Sequence, residues 1–185
     1  PKLDVFCAGK EQVFTFLQGV LDEVMALFPS TYIHIGGDEV LKARWKKCPD
    51  CQARIEQEGL KDARELQVYF TNRIIAYLDA HGRRAIGWNE ILHEGLAESA
   101  IVQYWIRNRK AVVATIQHGR DVIMSSFWRA YLDHSYSLTP LSKAYEYEPV
   151  FPELDARDER HVLGLEAPLW TEMVPNRARS DYLLV

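Results

Sequence analysis

Two acidic residues stand side by side where an apolar stretch ends, in the sequence HIGGDEV of residues 34–40. Adjacent carboxylates disfavour each other's ionisation, so the pair has a cost that a functional role would explain. The two preceding glycines free the backbone to turn, and Asp38 and Glu39 could then reach different sides of one small pocket. There, one carboxylate would stay ionised to hold a polar or cationic group, while the other would stay protonated and act as an acid. The alternative is a helix N-terminus, where acidic side chains are stabilising.

Large aromatic side chains stand at comparable positions later in the chain. Trp88, Trp105 and Trp170 are three of the five tryptophans, and each follows a short apolar stretch. A single tryptophan at such a position often only packs. Three of them, with carboxylates between them, suit a sugar, because the C–H faces of a sugar ring stack on indole and its hydroxyls donate to carboxylates. Asp133 and Glu172 are the candidate carboxylates for those hydroxyls.

Short apolar segments alternate with longer segments of helical spacing along the chain. The apolar periodicity predicts helices over 10–28, 63–82 and 110–119. The predicted strands, the last one with its following loop, span 3–7, 31–37, 84–88, 100–105, 121–126 and 161–170. These strands show little alternation of polar and apolar residues, which is typical of a parallel sheet that is buried on both faces. Residues 127–160 are predicted to be long, irregular and rich in aromatic residues.

Two arrangements of a parallel sheet fit this order of elements, a doubly wound sheet and a (β/α)8 barrel. A dinucleotide-binding doubly wound sheet needs a G-x-G-x-x-G motif that opens a helix, and GGDE does not match it. The candidate residues fall at the ends of strands or in the following loops, where barrels build their active sites. We therefore predict the α/β fold class of a TIM barrel, (β/α)8, incomplete here with about six of eight strands. Residues 1–185 would form one partial catalytic barrel domain without the first two βα units, since a whole barrel takes about 250 residues.

The composition excludes several classes of partner. A net charge of −4 gives no attraction to nucleic acid or to an anionic membrane surface. No apolar run approaches the ~20 residues that span a bilayer. We expect neither nucleic acid nor a membrane as a partner.

The cysteines give a weaker signal. Cys48 and Cys51 form a C-x-x-C motif in KKCPDCQ, which the polar surroundings place in a loop. A zinc site needs about four ligands, and a chain with three cysteines has no second pair. The expected structure is a turn around Pro49, with or without a local disulfide, and we predict no metal site.

Five segments taken together resemble one known family. The segments HIGGDEV, GWNEI, VQYW, YLD and EAPLWTE, in that order, resemble the catalytic barrel of the family-20 glycoside hydrolases, the β-N-acetylhexosaminidases, over almost the whole chain. The resemblance implies removal of terminal β-linked N-acetylglucosamine or N-acetylgalactosamine from a glycan, without a cofactor. It also implies an extracellular, periplasmic or lysosomal-type compartment.

The resemblance implies a role for each part of the acid pair. The family uses the acetamido oxygen of the sugar itself as the nucleophile, which is an exception to the usual two enzyme carboxylates. Glu39 would be the general acid and then the base, Asp38 would hold the acetamido N–H and the positive charge of the oxazolinium intermediate, and Tyr131 would bind the acetamido carbonyl. His34 would be a buried supporting residue. The implied substrate-binding residues are Trp88, Trp105, Asp133, Trp170 and Glu172.

Two alternatives remain beside this interpretation. A carbohydrate-binding or inactive barrel fragment would keep the tryptophans without turnover. A metal-dependent barrel hydrolase would need several histidines near strand ends, and His34 alone stands there.

An incomplete barrel also leaves two open sheet edges. We therefore expect either self-association or closure by other segments of a longer chain. In the family, those segments also supply an arginine that binds the hydroxyls of the sugar.

Overall fold

A computed structural model of the chain describes residues 5–184. These residues form two compact units that divide between Ile101 and Val102. The helices are α1 (Glu11–Leu27), α2 (Pro49–Gln57), α3 (Ala63–Ala80), α4 (Arg109–Gln117), α5 (Leu141–Tyr145) and α6 (Arg177–Leu184). The strands are β1 (Tyr32–His34), β2 (Arg84–Trp88), β3 (Ile101–Tyr104), β4 (Val122–Met124) and β5 (Val162–Leu165). Single 3-10 turns span Asn89–Ile91, Glu159–His161 and Thr171–Met173.

The first unit is built on a parallel pair of strands. In this pair, β1 lies beside β2, with Tyr32 opposite Arg84, and the long helix α3 packs against β2 and α1. Asp62 starts α3, because its carboxylate accepts hydrogen bonds from the backbone N–H groups of the first turn at 2.7 and 3.1 Å. Gly82, with φ +68°, follows the end of α3 and provides the left-handed residue that commonly ends a helix.

The second unit contains three parallel strands in chain order. Val122 of β4 pairs with Val102 of β3 on one side and with Val162 of β5 on the other. Helix α4 connects β3 to β4 and buries three apolar side chains, Val112, Val113 and Ile116. Helix-connected parallel strands are the β–α rhythm that the sequence predicts.

The predicted elements agree with the structure to different degrees. The three predicted helices are confirmed, with ends that differ from the prediction by one or two residues. The strand predicted over 84–88 has the predicted bounds, whereas the strands predicted over 31–37, 100–105, 121–126 and 161–170 are shorter. Single backbone hydrogen bonds to the neighbouring strand continue beyond the ends of β1, β3 and β4. Residues 127–160 are irregular as predicted, apart from α5 and the start of one 3-10 turn.

The strand predicted over residues 3–7 is wrong where it can be compared. Residues 5–7 form no strand, and residues 3 and 4 lie outside the described range. The backbone here bonds elsewhere: the carbonyl of Phe6 accepts from the indole N–H of Trp45 at 2.8 Å, and the carbonyl of Cys7 accepts from the N–H of Lys10 at 3.3 Å. Residues 5–184 therefore contain five strands, against six predicted for the chain.

The loop predicted around the C-x-x-C motif is also wrong. Cys48 is the N-cap of α2, Pro49 opens the helix and Cys51 lies in its first turn. Proline is favourable at this position, because the first helical N–H has no intrahelical partner and the fixed φ of proline suits a helix.

Between residues 5 and 184, no helix is long and apolar enough to cross a membrane.

Candidate active site

The acid pair follows a turn that leaves the sheet at the end of β1. Pairing with the next strand continues beyond β1, since the Ile35 N–H donates to the Ile86 carbonyl at 2.8 Å and the Trp88 N–H donates to the Gly36 carbonyl at 2.9 Å. The backbone then turns at Gly36 and Gly37, which have φ +71° and +95°. These left-handed values are accessible to glycine at no steric cost.

Glu39 itself has a left-handed backbone, with φ +49°. This conformation costs a residue with a Cβ about 1–2 kcal/mol, and such strained residues cluster at functional sites. Asp38 and Glu39 are both exposed. The alternative structural role is contradicted, because no helix starts at the pair: residues 42–47 form turns and α2 begins at Pro49.

Close packing holds the glycine turn from below. A Cβ on Gly37 would lie 2.3 Å from Cγ2 of Ile91, and a Cβ on Gly87 of β2 would lie 2.6 Å from Cδ1 of the same side chain. The buried side chain of Gln67 on α3 donates to the Gly37 carbonyl at 3.1 Å. Two strands and one helix therefore fix the backbone from which the acids project.

The predicted burial of His34 is wrong, because the residue is exposed in the structure. It lies at the end of β1, which pairs on one side only among the described strands. Its Nδ1 accepts from the Gly36 N–H at 3.1 Å, and its ring meets the Trp88 ring edge-on with centroids 5.0 Å apart. Although the residue as a whole is exposed, loss of water around the imidazole beside Trp88 lowers the pKa of His34, and the charge of Asp38 opposes this shift. His34 contacts the turn but is not buried as predicted, and its supporting role stays a prediction.

Trp88 is buried, with 8% of its surface exposed, at the end of β2. A 3-10 turn follows it, in which Asn89 and Ile91 are buried. In the first unit, the structure thus places Trp88, His34 and the acid pair at the same ends of two parallel strands.

The second unit contains an aromatic cluster at the ends of β3 and β4. The rings of Trp105 and Tyr131 stack with centroids 6.3 Å apart and an angle of 21°. Phe127 contacts both, with ring centroids 5.9 Å from Trp105 and 5.1 Å from Tyr131. The Phe127 N–H donates to the Trp105 carbonyl at 2.8 Å, and the Leu132 N–H donates to the Pro168 carbonyl at 2.8 Å. Tyr131 is consequently held in place and only 5% exposed.

The predicted sugar-binding acids have different surroundings. Asp133 is partly buried, and its Oδ1 is a buried atom without a hydrogen-bond partner within residues 5–184. A buried acceptor without a partner is costly, so a ligand hydroxyl that donates to it would recover that cost. Trp170 and Glu172 are both exposed, at and just after the start of the 3-10 turn that follows β5.

Three polar residues at the ends of β3, β4 and β5 escaped the sequence analysis. The amide of Gln103 donates to the Glu166 carboxylate at 2.6 Å and to the Ser125 hydroxyl at 2.9 Å. The Ser125 hydroxyl, which is fully buried, bonds both the backbone carbonyl and the carboxylate of Glu166. Glu166 directly follows β5 in the segment EAPLW, and that position at a strand end was the available signal.

The fold and the site together define a class of protein. Parallel strands linked by helices, with acids and aromatic side chains at the ends of several strands, are characteristic of barrel enzymes with an active site at the carboxyl face. The sequence profile of the family described as "Glycosyl hydrolase family 20, catalytic domain" matches residues 1–185. The chain belongs to this family of glycoside hydrolases, and its fold class is the predicted α/β barrel, present here in part.

Individual relatives agree with this assignment. The chain is 46% identical to a beta-hexosaminidase of Porphyromonas gingivalis over 97% of its length, and 37% identical to a beta-hexosaminidase of Vibrio furnissii over 92%. It is also similar to a GH20 exo beta-N-acetylglucosaminidase of Vibrio harveyi, solved in complex with N-acetylglucosamine, with a TM-score of 0.88 and 32% identity over 98% of the chain. The chain spans 24% and 30% of the two beta-hexosaminidases and 30% of the solved protein.

Proposed function

We propose that the protein to which this chain belongs is an exo-β-N-acetylhexosaminidase, which releases terminal β-linked N-acetylglucosamine or N-acetylgalactosamine from glycans. The observation that carries the proposal is the pair Asp38–Glu39, displayed on a glycine turn at the end of β1 with Glu39 in a strained conformation. The names of the relatives and the bound N-acetylglucosamine of one of them support the same substrate class.

In the proposed first step, the acetamido oxygen of the substrate forms a bond to the anomeric carbon while the bond to the leaving oxygen breaks. Glu39 donates its proton to that oxygen. Asp38 accepts a hydrogen bond from the acetamido N–H and stabilises the positive charge of the cyclic oxazolinium, and Tyr131 donates to the acetamido oxygen. In the second step, water gives a proton to Glu39 and attacks the same carbon, while the bond from that carbon to the acetamido oxygen breaks and the acetamido group is restored. Two displacements at one carbon retain the configuration.

The remaining predicted residues would hold the sugar. Trp88, Trp105 and Trp170 would offer flat apolar faces to the ring and the acetamido methyl group. Asp133 and Glu172 would accept hydrogen bonds from ring hydroxyls. The buried Oδ1 of Asp133, which has no partner in the described part of the chain, supports this role because a hydroxyl donor would satisfy it.

A second candidate is a chain that binds carbohydrate but does not turn it over by itself. The exposure of Asp38 and Glu39 favours it, since a general acid works best in a site that excludes water. In the first unit, an apolar cavity of about 350 Å³ also lies between α1, α3 and the end of β1, with Leu17, Phe70 and Ile74 in its lining. We propose that other segments of a longer chain cover this face, or that a second copy does.

The test compares two chromogenic substrates, a β-N-acetylglucosaminide and the matching β-glucoside, on this chain and on a longer chain that contains it. We expect the longer chain to cleave the N-acetylglucosaminide far faster, because the glucoside lacks the nucleophile. A thiazoline analogue of the cyclic intermediate should inhibit strongly, as intermediate-like ligands do. Comparable rates on both sugars, or a sugar trapped covalently on a carboxylate, would contradict the mechanism.

The same samples separate the two candidates. Binding of N-acetylglucosamine without turnover by either chain would favour the binding protein. Light scattering on the 185-residue chain tests whether the face with the apolar cavity binds a second copy. We expect dimers or larger species. A stable monomer would contradict the proposal that this face must be covered.

A further inference from the structure

The three cysteines of the chain meet at one point in the first unit. Sγ of Cys7 lies 3.6 Å from Sγ of Cys48 and 3.6 Å from Sγ of Cys51. All three sulfur atoms lie within 4.8 Å of one another, and all three cysteines are free. The C-x-x-C motif contains two of these cysteines, and the fold brings the third sulfur from a segment about forty residues earlier.

Two segments of backbone interlock to make this cluster. Gly9 lies directly against the first turn of α2, where a Cβ on it would be 2.1 Å from the carbonyl oxygen of Asp50. The Trp45 indole N–H donates to the Phe6 carbonyl at 2.8 Å, and the Gln52 side chain donates to the Trp45 carbonyl at 2.9 Å. The sulfur atoms are therefore held together by packing and hydrogen bonds that do not involve the sulfurs themselves.

Two of the sulfur atoms stand at the start of a helix. Cys48 is the N-cap of α2, and Cys51 lies in its first turn. The positive end of the helix dipole at this terminus favours a negatively charged sulfur.

We propose that Cys7, Cys48 and Cys51 bind one soft divalent cation, of which Zn²⁺ is the natural choice, in a structural site. A tetrahedral zinc ion with sulfur at about 2.3 Å would place its sulfur ligands about 3.8 Å apart, close to the two observed distances of 3.6 Å. Thiolate ligands select zinc and similar soft ions over magnesium or calcium. The fourth ligand would be a protein group outside residues 5–184, because structural zinc sites are closed by four protein ligands.

The arrangement fits a cation better than it fits a disulfide. A disulfide joins two sulfur atoms and leaves the third unused, whereas Cys7 approaches both other cysteines equally. The nearby carboxylate of Asp50 is not required as a ligand, because it faces Lys10 at 3.6 Å. Binding has one cost, since burial raises the pKa of Cys51 to about 12; a coordinated cation removes the proton from such a thiol.

The site is structural rather than catalytic. It would clamp residues 7–10 to the start of α2, at the far end of the segment that follows the acid pair. The proposal is independent of the proposed enzyme activity, because binding of the cation can be measured without substrate.

The test is a titration of the reduced, metal-free chain with Co²⁺, which reports thiolate coordination by its absorption. We expect one equivalent to produce thiolate-to-cobalt charge-transfer bands and the visible bands of tetrahedral cobalt, and Zn²⁺ to displace it. The variant Cys48→Ser should bind Co²⁺ more than about 100-fold less tightly, beyond the 10–100-fold effect of losing a supporting contact. Asp50→Asn is the matched control, and it should bind like the unmodified chain.

Three results would overturn the proposal. One is the absence of charge-transfer bands in a chain whose three thiols react freely with a thiol reagent. Another is unchanged cobalt binding by Cys48→Ser, with circular dichroism showing that the variant is folded. The third is a disulfide between two of the cysteines in freshly isolated protein that contains no metal, which would indicate a redox pair instead.

Discussion

The acid turn (residues 34–39) and the thiol cluster (Cys7, Cys48 and Cys51) lie in the same unit and are built in opposite ways. The acid turn is open: Asp38 and Glu39 are exposed, and Glu39 has a strained backbone. The thiol cluster is more enclosed: Cys51 is fully buried in an apolar cluster with Trp45 and Leu66, and Cys7 and Cys48 are half-buried. A site that reacts with a ligand needs access and tolerates strain, whereas a site that stabilises the fold needs neither.

The difference predicts how each region responds to substitution. Changes in the acid turn should affect turnover more than stability, because its side chains contribute little buried area. Changes in the thiol cluster should affect stability and metal affinity, and should leave the chemistry of the acid pair intact.

The largest expected effect is on turnover in Glu39→Gln. In the longer active chain, loss of the proton donor should reduce turnover by roughly 10²–10⁴, measured with a substrate that has a poor leaving group. Substrates with good leaving groups should lose less in the first step, because they need little acid assistance. Thermal unfolding should be nearly unchanged, since this side chain is exposed.

Glu94→Gln is the matched control, because Glu94 is also an exposed acid in a loop of the same unit. It should keep full turnover. An equal loss for good and poor leaving groups in Glu39→Gln would remove Glu39 from the role of acid.

The acid turn could be read from the sequence because its signals are local. Two glycines after an apolar stretch predict a strand end and a turn. These glycines and the acids lie in one seven-residue segment, HIGGDEV. The exposure of His34 was not readable, because burial depends on which strands lie beside β1. The strain at Glu39 could not be predicted either, because glutamate as a residue type does not indicate a left-handed backbone.

The second prediction concerns the backbone of the acid turn. Gly37→Ala should lower the free energy of unfolding by about 2–5 kcal/mol, because it adds left-handed strain of about 1–2 kcal/mol to overpacking of about 1–3 kcal/mol. The overpacking arises at Ile91, where the new Cβ would come within 2.3 Å of Cγ2. Urea denaturation measures the change.

Gly59→Ala separates the two costs. Gly59 also has a left-handed backbone, with φ +65°, but a Cβ there would meet nothing within 4 Å. The free energy of unfolding of Gly59→Ala should therefore fall by about 1–2 kcal/mol, which is the cost of the left-handed strain alone. Equal losses in both variants would show that Ile91 does not support the turn.

The thiol cluster escaped the sequence because its signals are distant. Cys7 lies about forty residues before the C-x-x-C pair, and only the packing of Gly9 against α2 brings it close. The helix was missed because α2 is short and mostly polar, and buries Cys51 alone among its residues. Pro49 after Cys48 was the available signal, since proline favours the first position of a helix, but it was interpreted as a turn.

The smallest expected effect tests the packing that forms this cluster. Gly9→Ala would place a Cβ 2.1 Å from the carbonyl oxygen of Asp50, so the loop of residues 7–10 must move away from α2. The cost should be about 1–3 kcal/mol of unfolding free energy, without the added left-handed strain of Gly37. Because the moved loop carries Cys7, whose sulfur lies 3.6 Å from those of Cys48 and Cys51, cobalt affinity should fall as well.

Gly19→Ala is the control, and it should raise the free energy of unfolding rather than lower it. Gly19 lies within α1, and a Cβ there would meet nothing within 4 Å. Alanine should therefore stabilise the helix by about 0.5–1 kcal/mol and leave cobalt binding unchanged. A Gly9→Ala chain with unchanged stability and cobalt affinity would mean that the loop does not hold Cys7 against α2.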